Sequence, residues 1–204
     1  MDNISRQFLR MPMALPGQTI GLFGGSFNPP HEGHAHVSEQ ALRRLGLDQI
    51  WWLVTPGNPL KSHSSLIPLR ERIELCLAIT KDPRVVVNAF EAKLKAHYTS
   101  HTLQHILQRN RAVHFVWVMG ADNLGQFHEW NEWQRIAAMM PIAVIDRPGS
   151  TLALHSARAA QVLRHYRVDE ADAPALAQMK PPAWTFLHGP RSSLSSTAIR
   201  NQHS

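Results

Sequence analysis

Six short apolar runs alternate with longer amphipathic stretches along the chain, and this alternation restricts the fold more than any other feature. Residues 19–23 (TIGLF), 49–54 (QIWWLV), 84–88, 113–119, 142–145 and 184–187 read as strands, the first two ending at Gly24-Gly25 and Thr55-Pro56-Gly57. Their short, nearly continuous apolar character is that of strands covered on both faces. Residues 34–45, 68–80, 99–108 and 155–166 read as helices, with a short last one at 196–201. In the first, Val37, Ala41, Leu42 and Leu45 share a face and Gly46 closes the helix. Pro68 suits a first helical turn, and Thr99 or Ser100 is placed to cap the third helix. Strand and helix in this order, joined by right-handed crossovers, give an α/β, doubly wound, mostly parallel, Rossmann-like sheet. Ligands of such sheets lie beyond the carboxyl ends of the strands, where the strand order reverses, so the residues that follow each strand are the first candidates for a site.

The chain has 204 residues, and at about 150 residues per domain one domain is expected. Residues 1–18 stand apart as an N-terminal tail without an assigned element. Residues 147–182 are the least defined, with an Ala-rich middle and acidic residues at Asp169, Glu170 and Asp172. Apolar residues at 44% and charged residues at 18% indicate a packed core. The single cysteine, Cys76, excludes an intrachain disulfide framework and fits a reducing compartment. No run approaches the roughly 18 apolar residues of a membrane span. Asp2, Arg6, Arg10, Pro12 and Pro16 interrupt the first residues, which do not read as a secretory leader. A cytoplasmic protein without a membrane partner is the expectation. Lys plus Arg minus Asp plus Glu is 21 − 15 = +6, a balance that favours anionic partners such as nucleotides. The basic residues are scattered, and neither C2H2 spacing nor an aromatic RNA-binding signature is present, so nucleic acid is not expected as a partner.

The most informative string is residues 24–34, GGSFNPPHEGH, between the first strand and the first helix. Gly24 and Gly25 permit unusual backbone angles and close approach of a phosphate. Pro29 and Pro30 stiffen the loop and cannot continue a strand. Backbone N–H groups at a helix start favour an anion, and His31 and His34 add donors where charge builds in a transfer reaction. The string is not a zinc-protease motif, because His-Glu-Gly-His lacks the spacing of His-Glu-x-x-His, and no Gly-Lys-Ser/Thr follows to make a P-loop.

GGSFNPPHEGH resembles the signature of the HxGH nucleotidylyltransferase superfamily, and the rest of the chain resembles more closely the bacterial nicotinate-mononucleotide adenylyltransferases. Pro59-Leu60-Lys61 is similar to their PxK loop, and residues 69–72 to the Arg-containing helix after it. His97-Tyr98-Thr99 with Thr102-Leu103 is similar to their YT..TL segment. Gly120-Ala121-Asp122, followed by Phe127, Trp130 and Trp133, is similar to their GAD..F..W..W segment. Residues 194–200 (LSSTAIR) resemble their ISSTxIR motif. The match spans residues 19–200 and implies one nucleotidylyltransferase domain over 19–204. Asn28 stands where that family often has Asp, His101 where an Asp is common, and Leu194 where Ile is usual.

The resemblance implies adenylyl transfer from ATP to nicotinate mononucleotide, with pyrophosphate released. Nucleophile and leaving group are both anionic already, so alignment and charge neutralisation can carry catalysis. It assigns His31, His34, Lys61 and Arg200 to catalysis. ATP binding falls to Gly24, Gly25, Ser26, Phe27, His31, His34, Asp122, Ser195, Ser196, Thr197 and Arg200, with Asp122 on a nucleotide sugar. The nicotinate nucleotide falls to Asn28, Lys61, Thr99 and Trp130, the indole stacking on the pyridine ring. Mg2+ would come in with ATP, without protein side-chain ligands. ATP and nicotinate mononucleotide are the expected partners of a monomer or homo-oligomer. The alternatives are a sister enzyme acting on nicotinamide mononucleotide or phosphopantetheine, and a non-catalytic nucleotide- or RNA-binding module. Trp51 and Trp52 read as core, Cys76 as a buried thiol, and His97, His101 and His105 as an improbable metal set because His97 precedes its helix.

Overall fold

A computed structural model describes residues 4–57, 66–94, 98–146 and 157–189. Six strands form one sheet: β1 (Thr19–Gly25), β2 (Gln49–Val54), β3 (Val85–Asn88), β4 (His114–Gly120), β5 (Ile142–Ile145) and β6 (Trp184–Leu187). Their order is β3-β2-β1-β4-β5-β6, and every pairing is parallel. The chain winds outward from β1 to one edge, returns to place β4 on its other side, and winds outward again. This is the doubly wound, Rossmann-like topology expected, with the switch point between β1 and β4.

Alternation of side chains sends each strand's residues to two separate cores. Ile20, Leu22, Trp51, Phe115 and Trp117 meet on one face. That face is covered by α4 (Thr99–Arg109), α5 (Ala121–Gln126), α6 (Trp133–Met139) and α7 (Arg158–Val162) through Leu103, Ile106, Leu124, Ile136 and Ala159. Phe23, Ile50, Trp52, Val116 and Val118 occupy the other face. There α1 (Glu32–Arg44), α2 (Leu69–Ile79) and a 3-10 segment (Glu170–Gln178) contribute Val37, Ala41, Ile73, Cys76 and Leu176. Trp51 and Trp52 are fully buried on opposite faces. A further short helix, α3 (Glu91–Leu94), follows β3.

The differences from the sequence expectation have local causes. Helix α1 starts at Glu32 rather than His34, because His31 is its N-cap. It ends in a Schellman turn: the Leu47 N–H donates to the Leu42 carbonyl across Gly46, whose φ is +61°. Strand β1 runs through Gly24 and Gly25 because β2 supplies Leu53 and Val54 opposite them. Neither Thr99 nor Ser100 caps α4; the cap position is Tyr98, without a side-chain bond to the helix. The helix expected over 155–166 is, among the described residues, α7 followed by a 3-10 turn (Arg164–Tyr166). Trp184 Nε1 and the Tyr166 N–H both donate to the Leu163 carbonyl, which tightens the chain there. Segment Glu170–Gln178 is a 3-10 run with Pro174 inside it, where a regular α-helical ladder would lack a donor.

Residues 4–18 lie against the body of the sheet. Ile4 and Phe8 pack on one core, and Met11 and Ala14 on the other. The Ala89 N–H donates to the Phe8 carbonyl at 2.8 Å.

Candidate active site

Because all six strands are parallel, the loops after their carboxyl ends share one edge of the sheet. Gly25 pairs with Val54, Phe23 with Val118, and Gly120 with Ile145. The residues after β1, after β2 and at the start of α5 are thereby neighbours, and the switch point lies among them.

The loop of residues 26–30 is held by its aromatic residue. Phe27 has a left-handed backbone, with φ +47°, which is uncommon for a non-glycine residue. Its ring is buried, stacks on Trp52 at 4.8 Å and 13°, and meets Phe23 edge-on at 5.6 Å. Burial of the ring holds the unfavourable backbone angle. A binding role for Phe27 therefore falls to its backbone, not its side chain. Gly24 is required by a neighbour across the switch point: a Cβ there would sit 2.5 Å from Trp117 Cη2.

The two histidines form a reciprocal cap. His31 is the N-cap of α1, and its Nδ1 accepts from the Gly33 N–H at 3.1 Å. His34, at the third helical position, accepts the His31 N–H on its own Nδ1 at 3.2 Å. This is a capping box in which imidazole nitrogens replace the usual oxygens. An Nδ1 that accepts carries no proton, so each neutral ring holds its proton on Nε2. The rings lie 4.0 Å apart, with His31 buried and His34 half-buried against Phe27 at 4.8 Å. Ser38 Oγ accepts from Trp52 Nε1 and donates to the His34 carbonyl, fixing this turn on β2.

Asn28 Oδ1 accepts from the Ile67 N–H at 2.9 Å. Aspartate offers the same oxygen, so this contact survives the difference from the common residue at that position. Asp122 is exposed at the second residue of α5, not at its cap, which is Gly120. Trp130 is half-buried, edge-on to Trp117 at 6.1 Å and to Phe127 at 5.5 Å. Trp133 packs on Phe127 at 5.8 Å. Thr99 is the first residue of α4, across the sheet face that carries Trp117 and Trp130. His101 lies against Tyr98, whereas His105 lies over Phe90 and beside Arg109. Lys61, Ser195, Ser196, Thr197 and Arg200 lie outside the described residues.

Sequence reasoning did not foresee the part played by Arg72. It is 1% exposed and donates to four backbone carbonyls: Ile67 at 2.8 Å, Ser26 at 2.6 Å, Thr55 at 2.7 Å and Pro56 at 3.2 Å. Burial lowers its pKa from the ordinary arginine value, while its neighbour Cys76 acts in the opposite sense. The same burial raises the Cys76 thiol to about 12, opposed by Arg72. The readable signal was an arginine among Leu69, Ile73 and Cys76 on the inward stripe of a helix, where only an apolar side chain or a satisfied charge belongs.

The fold and a family model together define the class. The Cytidylyltransferase-like model matches residues 22–202. A Mesorhizobium japonicum protein named "Probable nicotinate-nucleotide adenylyltransferase" is 59% identical over 190 residues, 93% of this chain and 97% of its own. A protein of the same name from Rhizobium meliloti is 61% identical over 185 residues, 91% and 98% of the two chains. The chain belongs to the nicotinate-nucleotide adenylyltransferase family. The fold is shared with Plasmodium falciparum nicotinic acid mononucleotide adenylyltransferase complexed with NaAD, at TM-score 0.65 and 18% identity, over 90% of this chain and 83% of that one.

Proposed function

We propose that the chain transfers the adenylyl group of ATP to nicotinate mononucleotide, giving nicotinate adenine dinucleotide and pyrophosphate, a step of NAD biosynthesis. The phosphate oxygen of the mononucleotide attacks the α-phosphorus of ATP, and the bond from that phosphorus to the bridging oxygen of pyrophosphate breaks. The observation that carries this reading is the pair of backbone-locked imidazoles at the switch point. With Nδ1 of both rings accepting N–H groups, Nε2 is the nitrogen through which each neutral ring would donate to a phosphate oxygen. They need no proton transfer, since neither reacting group requires a base.

Around them, Gly24, Gly25, Ser26 and the Phe27 backbone hold the ATP phosphates, and Asp122 holds a ribose hydroxyl. Lys61 and Arg200 add positive charge, and the hydroxyls of Ser195, Ser196 and Thr197 add donors. Asn28 acts on the nicotinate nucleotide by holding the wall of its site at Ile67. Trp130 stacks on the pyridine ring. The start of α4 at Thr99, where the N-cap residue Tyr98 makes no side-chain bond to the helix, receives the nicotinate carboxylate. Mg2+ neutralises charge on the polyphosphate when bound. It would arrive with ATP, held by phosphate oxygens and water. The partners are small molecules, and the single cysteine fits a cytoplasmic setting. No helix among the described residues is long and apolar enough to cross a membrane.

The test is pyrophosphate release by the purified chain with ATP and Mg2+, run in parallel with nicotinate mononucleotide, nicotinamide mononucleotide and phosphopantetheine. Release with the first at least about tenfold above the others, a difference of about 1.4 kcal/mol, is the expected result. Release chiefly with another acceptor keeps the chemistry and removes this substrate. Silence with all three, from folded protein that binds ATP, leaves a binding module.

A further inference from the structure

We propose that Arg72 is a positioning residue for ATP, setting the shape of the phosphate-binding loop from beneath. This rests on the reading of residues 24–34 as the ATP phosphate site.

The guanidinium has five N–H donors in a rigid plane. Here it reaches three separate stretches of chain at once: the loop after β1 through Ser26, the loop after β2 through Thr55 and Pro56, and the entrance of α2 through Ile67. All four acceptors are neutral carbonyls. Among the described residues, this buried charge is met by carbonyl dipoles of loops at the carboxyl edge of the sheet. A trans peptide points its N–H opposite to its C=O. The bond to the Ser26 carbonyl therefore turns the Phe27 N–H away from the guanidinium, fixing the peptide of a loop whose backbone angle is already left-handed. Ile67 is held at both of its backbone groups, its N–H by Asn28 and its carbonyl by Arg72. Arg72 and Asn28 thus tie the same two segments together from opposite sides. Arg72 stands one helical turn from the buried Cys76, within α2, so the clamp is anchored in a core helix.

Lysine keeps the charge but presents one point where arginine presents a plane, and cannot span the same carbonyls. The test uses full-length Arg72→Lys and Arg72→Ala. Thermal unfolding, ATP affinity by calorimetric titration, and the KM for ATP and for the nicotinate nucleotide are measured for each. The expected result for Arg72→Lys is a folded protein whose ATP dissociation constant and ATP KM both rise roughly tenfold, the loss of about one charge-assisted hydrogen bond. The KM of the nicotinate nucleotide rises by less than that of ATP, because Arg72 reaches that substrate's wall only at the Ile67 carbonyl, whose residue Asn28 still holds by its N–H. Guanidinium ion at low millimolar concentration restores ATP affinity to Arg72→Ala, and methylammonium does not. An Arg72→Lys protein with unchanged ATP affinity overturns the proposal. So does a variant that loses only active fraction, with both KM values unchanged, which is what a purely structural role produces. The titration needs no acceptor. If the wild-type chain fails to transfer to nicotinate mononucleotide while Arg72→Lys still weakens ATP, the assignment of the acceptor fails and the role of Arg72 stands.

Discussion

His34 accepts the backbone N–H of His31 on its Nδ1, at 3.2 Å, while His31 accepts the N–H of Gly33. One pair of side chains thus starts helix α1 and presents the proposed phosphate donors. The two duties separate by substitution. Asparagine and aspartate are better N-caps than histidine, so His31→Asn is expected to unfold at the same temperature as the wild type or higher. The same variant lacks the Nε2–H and is expected to lose about 10²–10³ in kcat. Thermal unfolding and pyrophosphate release on one preparation check both. A variant with normal turnover would remove the donor role.

Gly24 and Trp117 meet across the β1–β4 pairing. Gly24→Ala places a methyl 2.5 Å from a buried ring carbon, and the ring has no free end to swing away. A loss of about 1–3 kcal/mol in denaturant unfolding is expected. Trp117→Leu in the same chain makes room, so the double variant is expected to recover part of that loss relative to the sum of the single changes.

Glu91 is half-buried, and Thr102 Oγ1 of α4 donates to it at 2.6 Å. Burial raises its pKa above the ordinary 4.5, with the Thr102 bond opposing. The folded chain therefore holds this proton to higher pH than the unfolded chain does. Stability contributed by the protonated carboxyl is complete below about pH 4.5 and is lost as pH rises through the folded value. Glu91→Gln removes that slope. The gap in melting temperature between variant and wild type is expected to move in the variant's favour from pH 5 to pH 8.

The Cys76 thiol is fully buried, and burial raises its pKa to about 12. At pH 8 almost none of it is thiolate, the reactive form. Native protein is expected to resist iodoacetamide, with one equivalent incorporated after unfolding in guanidinium chloride. Mass spectrometry reads both states.

Much of the fold was legible because a parallel sheet buried on both faces writes itself as apolar runs. Strands β5 and β6 have the ends read from the sequence. The start of α1 was not legible, since nothing in the string marks a histidine as a cap in advance of its geometry. Nor was the split at Leu163, which depends on an indole from twenty-one residues away. In the site, residues 24–34 were legible from their glycines, prolines and histidines, whereas Trp130 was singled out only through the resemblance of its segment to the family's. Phe27 was read as a ligand contact, but its ring serves the core, because the sequence does not say which way a loop side chain turns. Arg72 was unreadable in its role, because the four carbonyls it gathers lie in segments up to forty-six residues away.

The sheet order carries one more implication. Strands β1–β3 come from the first part of the chain and β4–β6 from the rest, and the two sets pair only where β1 meets β4. His31, His34 and Arg72 belong to the first set, Asp122 and Trp130 to the second. The switch point is therefore also the molecule's seam. Were the gene severed in the turn at residues 110–113, each product would hold three strands and half of the proposed machinery. Turnover would then report that two fragments had found each other.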